Sequence, residues 1–101
     1  MKPLAVQPWE LTSEAIVPDV IVDIRTREQF DRGHISGAIH LPYERFQVDA
    51  DSMLSAEGLV LVVDPAGARA AEMAVWLRGT GRNVCYLKGG MAAWRGPLES
   101  E

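Results

Sequence analysis

Gly58-Leu59-Val60-Leu61-Val62-Val63-Asp64-Pro65-Ala66-Gly67-Ala68-Arg69-Ala70 governs the architecture of this chain. The apolar run Leu59–Val63 shows no alternation, so it predicts a central strand covered on both faces. It breaks into Asp64-Pro65-Ala66-Gly67, a turn composition. From about Ala68 to Arg78 the spacing predicts a helix. Ala70, Met73, Ala74 and Leu77 fall at i, i+3, i+4 and i+7 and make one apolar face, with Arg69, Glu72 and Arg78 off it. Gly79 and Gly81 stop that helix. A buried strand, a short loop and an amphipathic helix form one unit of an α/β sheet.

The flanking sequence repeats this grammar. Downstream, Asn83-Val84-Cys85-Tyr86-Leu87 reads as a strand, Lys88-Gly89-Gly90 as a turn, and Met91 to Trp94 as a last helix before Gly96 and Pro97. Upstream, Val20-Ile21-Val22-Asp23-Ile24-Arg25 is rich in β-branched residues and reads as a buried strand. Thr26 caps a short helix from Arg27 to Arg32 that ends at Gly33. Ala38-Ile39-His40-Leu41 is a short strand before Pro42, and Tyr43 to Ser55 is weakly helical. Near the start, Leu4-Ala5-Val6 reads as an edge strand stopped by Pro8. Thr12 to Ile16 reads as a helical turn ended by Pro18. Strands alternating with helices predict a largely parallel sheet in an α/β sandwich. Ligands of such sheets bind beyond the carboxyl ends of the strands, which selects Asp64 to Arg69 as the segment to inspect.

Composition narrows the function classes. The 101 residues are 48% hydrophobic and 24% charged, the profile of one globular domain spanning 1–101. Ten basic residues against fourteen acidic give −4, a poor balance for holding a phosphate backbone, so no nucleic-acid partner is expected. The sole cysteine, Cys85, closes no internal disulfide and founds no Cys-rich metal site. His34 and His40 lack ligand partners at metal spacing, so neither a metal nor a cofactor is expected. No apolar run approaches the roughly 18 residues of a membrane span. Met1-Lys2-Pro3-Leu4-Ala5 opens no secretory signal, which makes the cytoplasm the expected location.

Three segments together resemble the rhodanese-like family. The first is Val22-Asp23-Ile24-Arg25 with Glu28, Phe30 and Gly33-His34-Ile35-Ser36-Gly37-Ala38, followed by Pro42. The second is the apolar strand, the loop carrying Gly67 and Arg69, and the Ala-rich helix ending in glycine. The third is Val84 to Leu87 with Gly89-Gly90-Met91 and Trp94. The resemblance implies a three-layer sandwich: a small, mainly parallel sheet with helices on both faces. In active members the loop after the central strand reads Cys-x-x-Gly-x-Arg-Ser/Thr. Its thiolate takes a sulfane sulfur as a persulfide, cradled by inward-pointing amides, and passes it to a nucleophilic acceptor.

Here the matching residues are Asp64, Pro65, Ala66, Gly67, Ala68, Arg69 and Ala70. Gly67 and Arg69 fit; Asp64 stands where the nucleophile would be, and Ala70 where the hydroxyl would be. A carboxylate forms no persulfide, because its oxygens are hard and weakly nucleophilic towards sulfur. It also puts a negative charge inside the anion cradle, which disfavours small-anion binding. Pro65 removes an N–H from the same loop. The six residues from Asp64 to Arg69 match the sulfurtransferase loop, whereas the related dual-specificity phosphatases have one residue more.

The favoured role for Asp64 is structural: N-cap of the following helix, with Pro65 at the first helical position. Arg69 is then expected to pair with Asp64 or to lie on a solvated helix face. Cys85, inside a strand, is expected to be an inert core residue. His34 belongs to the resemblance's structural turn, and Asp23 with Arg25 to an architectural ion pair. The expected function is a rhodanese-like domain without the catalytic cysteine: a non-catalytic binding or regulatory module that meets a protein partner through the loop rim. The rival is weak sulfurtransferase activity through Cys85 or a thiol supplied in trans. An Asp-centred hydrolase ranks last, since no second carboxylate, ligand set or base is evident beside Asp64.

Overall fold

A computed structural model describes residues 4–55 and 57–100; the Met1-Lys2-Pro3 segment read above lies outside them. In chain order the elements are β1 (Ala5–Val6), α1 (Pro8–Thr12), β2 (Val20–Asp23), α2 (Arg27–Arg32), β3 (His34–Ile35), β4 (Ile39–His40), α3 (Tyr43–Met53), β5 (Leu59–Val63), α4 (Ala68–Arg78), β6 (Asn83–Leu87), α5 (Gly90–Ala93) and β7 (Leu98–Glu99). The main sheet has the order β1-β6-β5-β2-β4, and every pairing in it is parallel. A separate antiparallel pair joins β3 to β7.

β5 sits at the centre, and all five of its residues are buried. Alternation along the strand sends its side chains to two cores. Val60 and Val62 pack with Phe46 and Ala50 of α3 and Ala70, Met73, Ala74 and Leu77 of α4. Leu59, Leu61 and Val63 pack with Val6, Cys85 and Leu87, covered by Leu11 of α1 and by Met91 and Trp94 near α5. Helices thus cover both faces, as expected of a three-layer sandwich. Trp76 meets Phe46 edge-on at 6.1 Å between centroids, whereas Trp9 is 63% exposed.

The N-terminal region departs from the sequence reading. Pro8 starts a helix rather than merely ending β1, and residues after Thr12 form turns rather than a helix. Proline suits the first helical position because its missing N–H would be unpaired there anyway. Gln7 and Glu10 complete a capping box, with the Gln7 amide donating to Glu10 Oε1 at 2.8 Å. Glu14 then adopts φ 61°, the left-handed conformation that usually ends a helix on glycine. Glu14→Gly is therefore expected to stabilise the fold by roughly 0.5–1 kcal/mol, a rise of a few degrees in Tm readable by calorimetry. An unchanged or lower Tm would show that this turn carries no strain.

Candidate functional site

The segment singled out by sequence lies at the carboxyl end of β5, the centre of the parallel sheet. Asp64 is 1% exposed and turns its carboxylate into the loop. The Gly67 amide donates to Oδ1 at 2.5 Å, and the Ala70 amide to Oδ2 at 2.9 Å. Both carboxylate oxygens are thereby engaged by backbone donors at the start of α4. The expected N-cap is nonetheless displaced. α4 begins at Ala68, and its N-cap is Gly67 at φ 108°, not Asp64. Pro65 and Ala66 form a turn outside the helix, and the left-handed glycine redirects the chain into it. The carboxylate reaches across that turn to the third helical amide, so a capping contact is made from six residues upstream.

A second set of contacts fastens the loop from below. The Met91 amide donates to the Asp64 carbonyl at 2.8 Å, and the Ala92 amide to the Pro65 carbonyl at 3.0 Å. Helix N-termini leave such donors without intrahelical partners, and here the loop's carbonyls use them. The approach requires Gly90, at φ 62°. A Cβ there would stand 2.5 Å from Ala66 N and from Asp64 O, and 2.6 Å from the Pro65 carbonyl carbon. In sequence, Lys88-Gly89-Gly90 reads as a turn, whereas Gly90 is the first residue of α5. The adjacent glycines were the available signal of a close backbone approach.

Arg69 does not pair with Asp64. It is exposed, and its guanidinium carbon lies 4.4 Å from the centroid of the Tyr43 ring. The Tyr43 hydroxyl donates to Glu72 Oε1 at 2.8 Å, and this bond to a carboxylate, with burial and the charge of Glu72 adding to it, raises the Tyr43 pKa. Pro65, Ala66 and Ala68 are exposed, while Gly67 and Ala70 are buried. The loop therefore offers a rim of small apolar residues with an arginine at one side, over an interior already filled by Asp64.

The remaining polar candidates are built into the scaffold. Asp23, 1% exposed, receives Arg25 Nη2 at 2.7 Å and Nε at 3.0 Å, while the same Nη2 donates to the Gly33 carbonyl at 2.7 Å. His34 is buried, stacks on Phe30 at 3.8 Å and bonds the Phe30 carbonyl through Nδ1 at 2.8 Å. His40 Nε2 lies 2.8 Å from the Arg25 carbonyl, and Arg27 Nη1 is 3.3 Å from Nδ1. The arginine donates, so the ring carries its proton on Nε2. Cys85 is 2% exposed and belongs to the core on the face away from α4; its thiol lies 3.6 Å from the Val60 carbonyl. The structure does not bring it to the Asp64 loop. Among the described residues no three His, Cys, Asp or Glu side chains converge on a metal-sized site, and no helix is long and apolar enough to cross a membrane.

Comparison with known proteins adds a family. The model for the rhodanese-like domain matches residues 9–97. YibN, an uncharacterized protein of Escherichia coli K12, is 36% identical over 80 residues, covering 76% of this chain and 56% of YibN. The tRNA sulfurtransferase of Desulfurococcus amylolyticus is 34% identical over 80 residues, covering 79% of this chain and 16% of that enzyme. Among solved structures, the rhodanese-like domain protein of Staphylococcus aureus superposes with a TM-score of 0.84 at 27% identity, covering 96% of this chain and 97% of that one. The match thus spans little more than half of YibN and a small part of the tRNA enzyme.

Proposed function

The chain belongs to the rhodanese-like domain family, and on that premise we propose that it is a member without the catalytic cysteine, a non-catalytic binding or regulatory module related to thiosulfate sulfurtransferases. Asp64 stands at the position of the family's nucleophile, and the segment Asp64–Ala70 is a loop equivalent that no longer carries sulfur. A partner protein meets the module through the loop rim.

One observation carries this reading: the buried Asp64 carboxylate accepts the amides of Gly67 and Ala70. Those donors face inward, where a transferred sulfur anion would need them, and they are occupied by an anion that belongs to the chain. Sulfur transfer requires an S–S bond at the loop, and a carboxylate makes none. A thiosulfate or phosphate entering the loop would meet a negative charge rather than a vacant nest. Ala70 supplies no hydroxyl and Pro65 no amide, so the substitution at position 64 does not stand alone. The relatedness to sulfurtransferases draws on the name of the Desulfurococcus enzyme and on the family itself.

The experiment is a thiosulfate–cyanide assay reading thiocyanate, run on the protein and on Cys85→Ser. Both are expected to stay at background, with no +32 Da adduct on the intact protein after thiosulfate. Turnover that disappears in Cys85→Ser would overturn the reading in favour of the rival thiol. Asp64→Cys is expected to restore little activity, because Pro65 and Ala70 still oppose the chemistry. Full activity from that single change would show that the rest of the loop remains competent.

A further inference from the structure

A shallow groove of about 230 Å³ runs between α3 and α4, lined by Tyr43, Glu44, Gln47, Val48, Glu72 and Met73. It begins at the loop rim, since Arg69 in the first turn of α4 stacks on Tyr43. Its size is below the ~300–1,000 Å³ of sites that enclose small-molecule ligands, and it has room for one extended side chain rather than a helix. The walls are chemically divided. Val48, 65% exposed, and the buried Met73 supply apolar surface, whereas Glu44 and Glu72 supply two carboxylates, one from each helix.

No cation lines this groove. Of the nearest arginines in sequence, Arg45 Nη2 pairs with Asp49 at 2.9 Å, while Arg69 sits at the loop end of the groove, over the Tyr43 ring. Glu44 has no ion-pair partner among the described residues. Glu72 Oε1 accepts the Tyr43 hydroxyl at 2.8 Å, which positions the carboxylate in the groove wall. A groove that combines the apolar surface of Val48 and Met73 with two carboxylates complements a side chain with a hydrocarbon stem and a cationic head.

We propose that this groove seats a lysine or arginine side chain of a partner protein, its stem along Val48 and Met73 and its charged head between Glu44 and Glu72. This deepens the docking role proposed for the loop rim and rests on it, by naming the chemistry of the partner's anchor. Arginine is among the residues enriched in binding hot spots, where it fills a pocket ringed by energetically near-neutral contacts. Charge on the wall residues also steers a basic partner to this face, which is a salt-dependent effect.

The test is an NMR titration of the ¹⁵N-labelled protein with a twelve-residue peptide of alternating arginine and alanine, and with its glutamate-for-arginine counterpart. The arginine peptide is expected to shift amides of residues 43–48 and 69–76 and no other acidic surface. The glutamate peptide is expected to shift none of them. Glu44→Gln with Glu72→Gln should weaken binding at least tenfold, and Tyr43→Phe a few-fold by freeing Glu72. Glu28→Gln on α2, an exposed carboxylate elsewhere, should leave the affinity unchanged. Shifts spread evenly over all acidic surfaces, equal weakening by Glu28→Gln, or no shifts at all would each overturn the proposal. The thiocyanate assay is independent of every one of these outcomes, so a failed groove leaves the non-catalytic reading standing and a failed non-catalytic reading is recognised separately.

Discussion

Gly90→Ala is expected to lower the Tm by about 15 °C or more, or to prevent the folded protein from accumulating, as read by circular dichroism and calorimetry. Three costs act at once. The residue sits at φ 62°, where a Cβ costs roughly 1–2 kcal/mol. The new Cβ would also stand 2.5–2.6 Å from three backbone atoms of residues 64–66, none of which rotates away as a side-chain end can. Relief of that contact must separate α5 from the loop and break the Met91 and Ala92 hydrogen bonds, each worth about 0.5–1.5 kcal/mol net. The sum is on the order of 4 kcal/mol, a large share of the ~5–15 kcal/mol that holds a domain of this size together. Gly37→Ala separates the terms. Gly37 has φ 84° with nothing within 4 Å of its Cβ position, so it carries the conformational cost alone. Equal losses from the two variants would show that the α5–loop clamp is not what Gly90 serves.

The sequence disclosed what depends on periodicity and left obscure what depends on approach. Leu59–Val63 had to be central because a wet face would have forced alternation, and it is buried throughout. Thr26 precedes α2 as a capping residue should, and the Gln29 amide donates to its hydroxyl at 3.2 Å. Pro8 suits either role in sequence, because proline both ends strands and begins helices. Which of these it does was settled by Gln7 and Glu10, a box whose first member is not one of the usual capping residues. The β3–β7 pair joins residues 63 or more apart through two-residue strands, too short for any pattern to show. At the loop, spacing located Asp64–Ala70, but the Asp-Pro pair pointed to the wrong helix start. The left-handed turn at Gly67 displaces that start by three residues, in a loop whose carbonyls are held by amides of α5. Arg69 and Asp64 lie in one loop, which in sequence makes them candidate partners. The actual neighbour of Arg69, Tyr43, is brought in by the packing of α3 on α4, which local sequence does not encode.

Asp64→Ala is expected to lower the Tm by about 10–20 °C, and the reason bears on what became of the loop. The substitution removes two hydrogen bonds to a charged acceptor and leaves two inward-facing amides, on the buried residues Gly67 and Ala70, without partners. Orphaned buried donors cost about 1–3 kcal/mol each, so the loss is on the order of 3 kcal/mol. An exposed carboxylate offers the contrast. Glu28 lies 3.9 Å from Arg32 with both side chains largely in solvent, a pair worth at most about 0.5 kcal/mol, so Glu28→Ala should move Tm by no more than a few degrees. Asp64→Asn should recover only part of the loss, because a carboxamide offers one acceptor oxygen where two amides demand two. If Asp64→Ala were as mild as Glu28→Ala, the loop's amides would have other partners and the interior would be open to a ligand. If it is severe, the donors that cradle a sulfur anion in a catalytic loop serve here to hold the loop itself. Their use is then structural, and removing the carboxylate destabilises the fold instead of unmasking an enzyme.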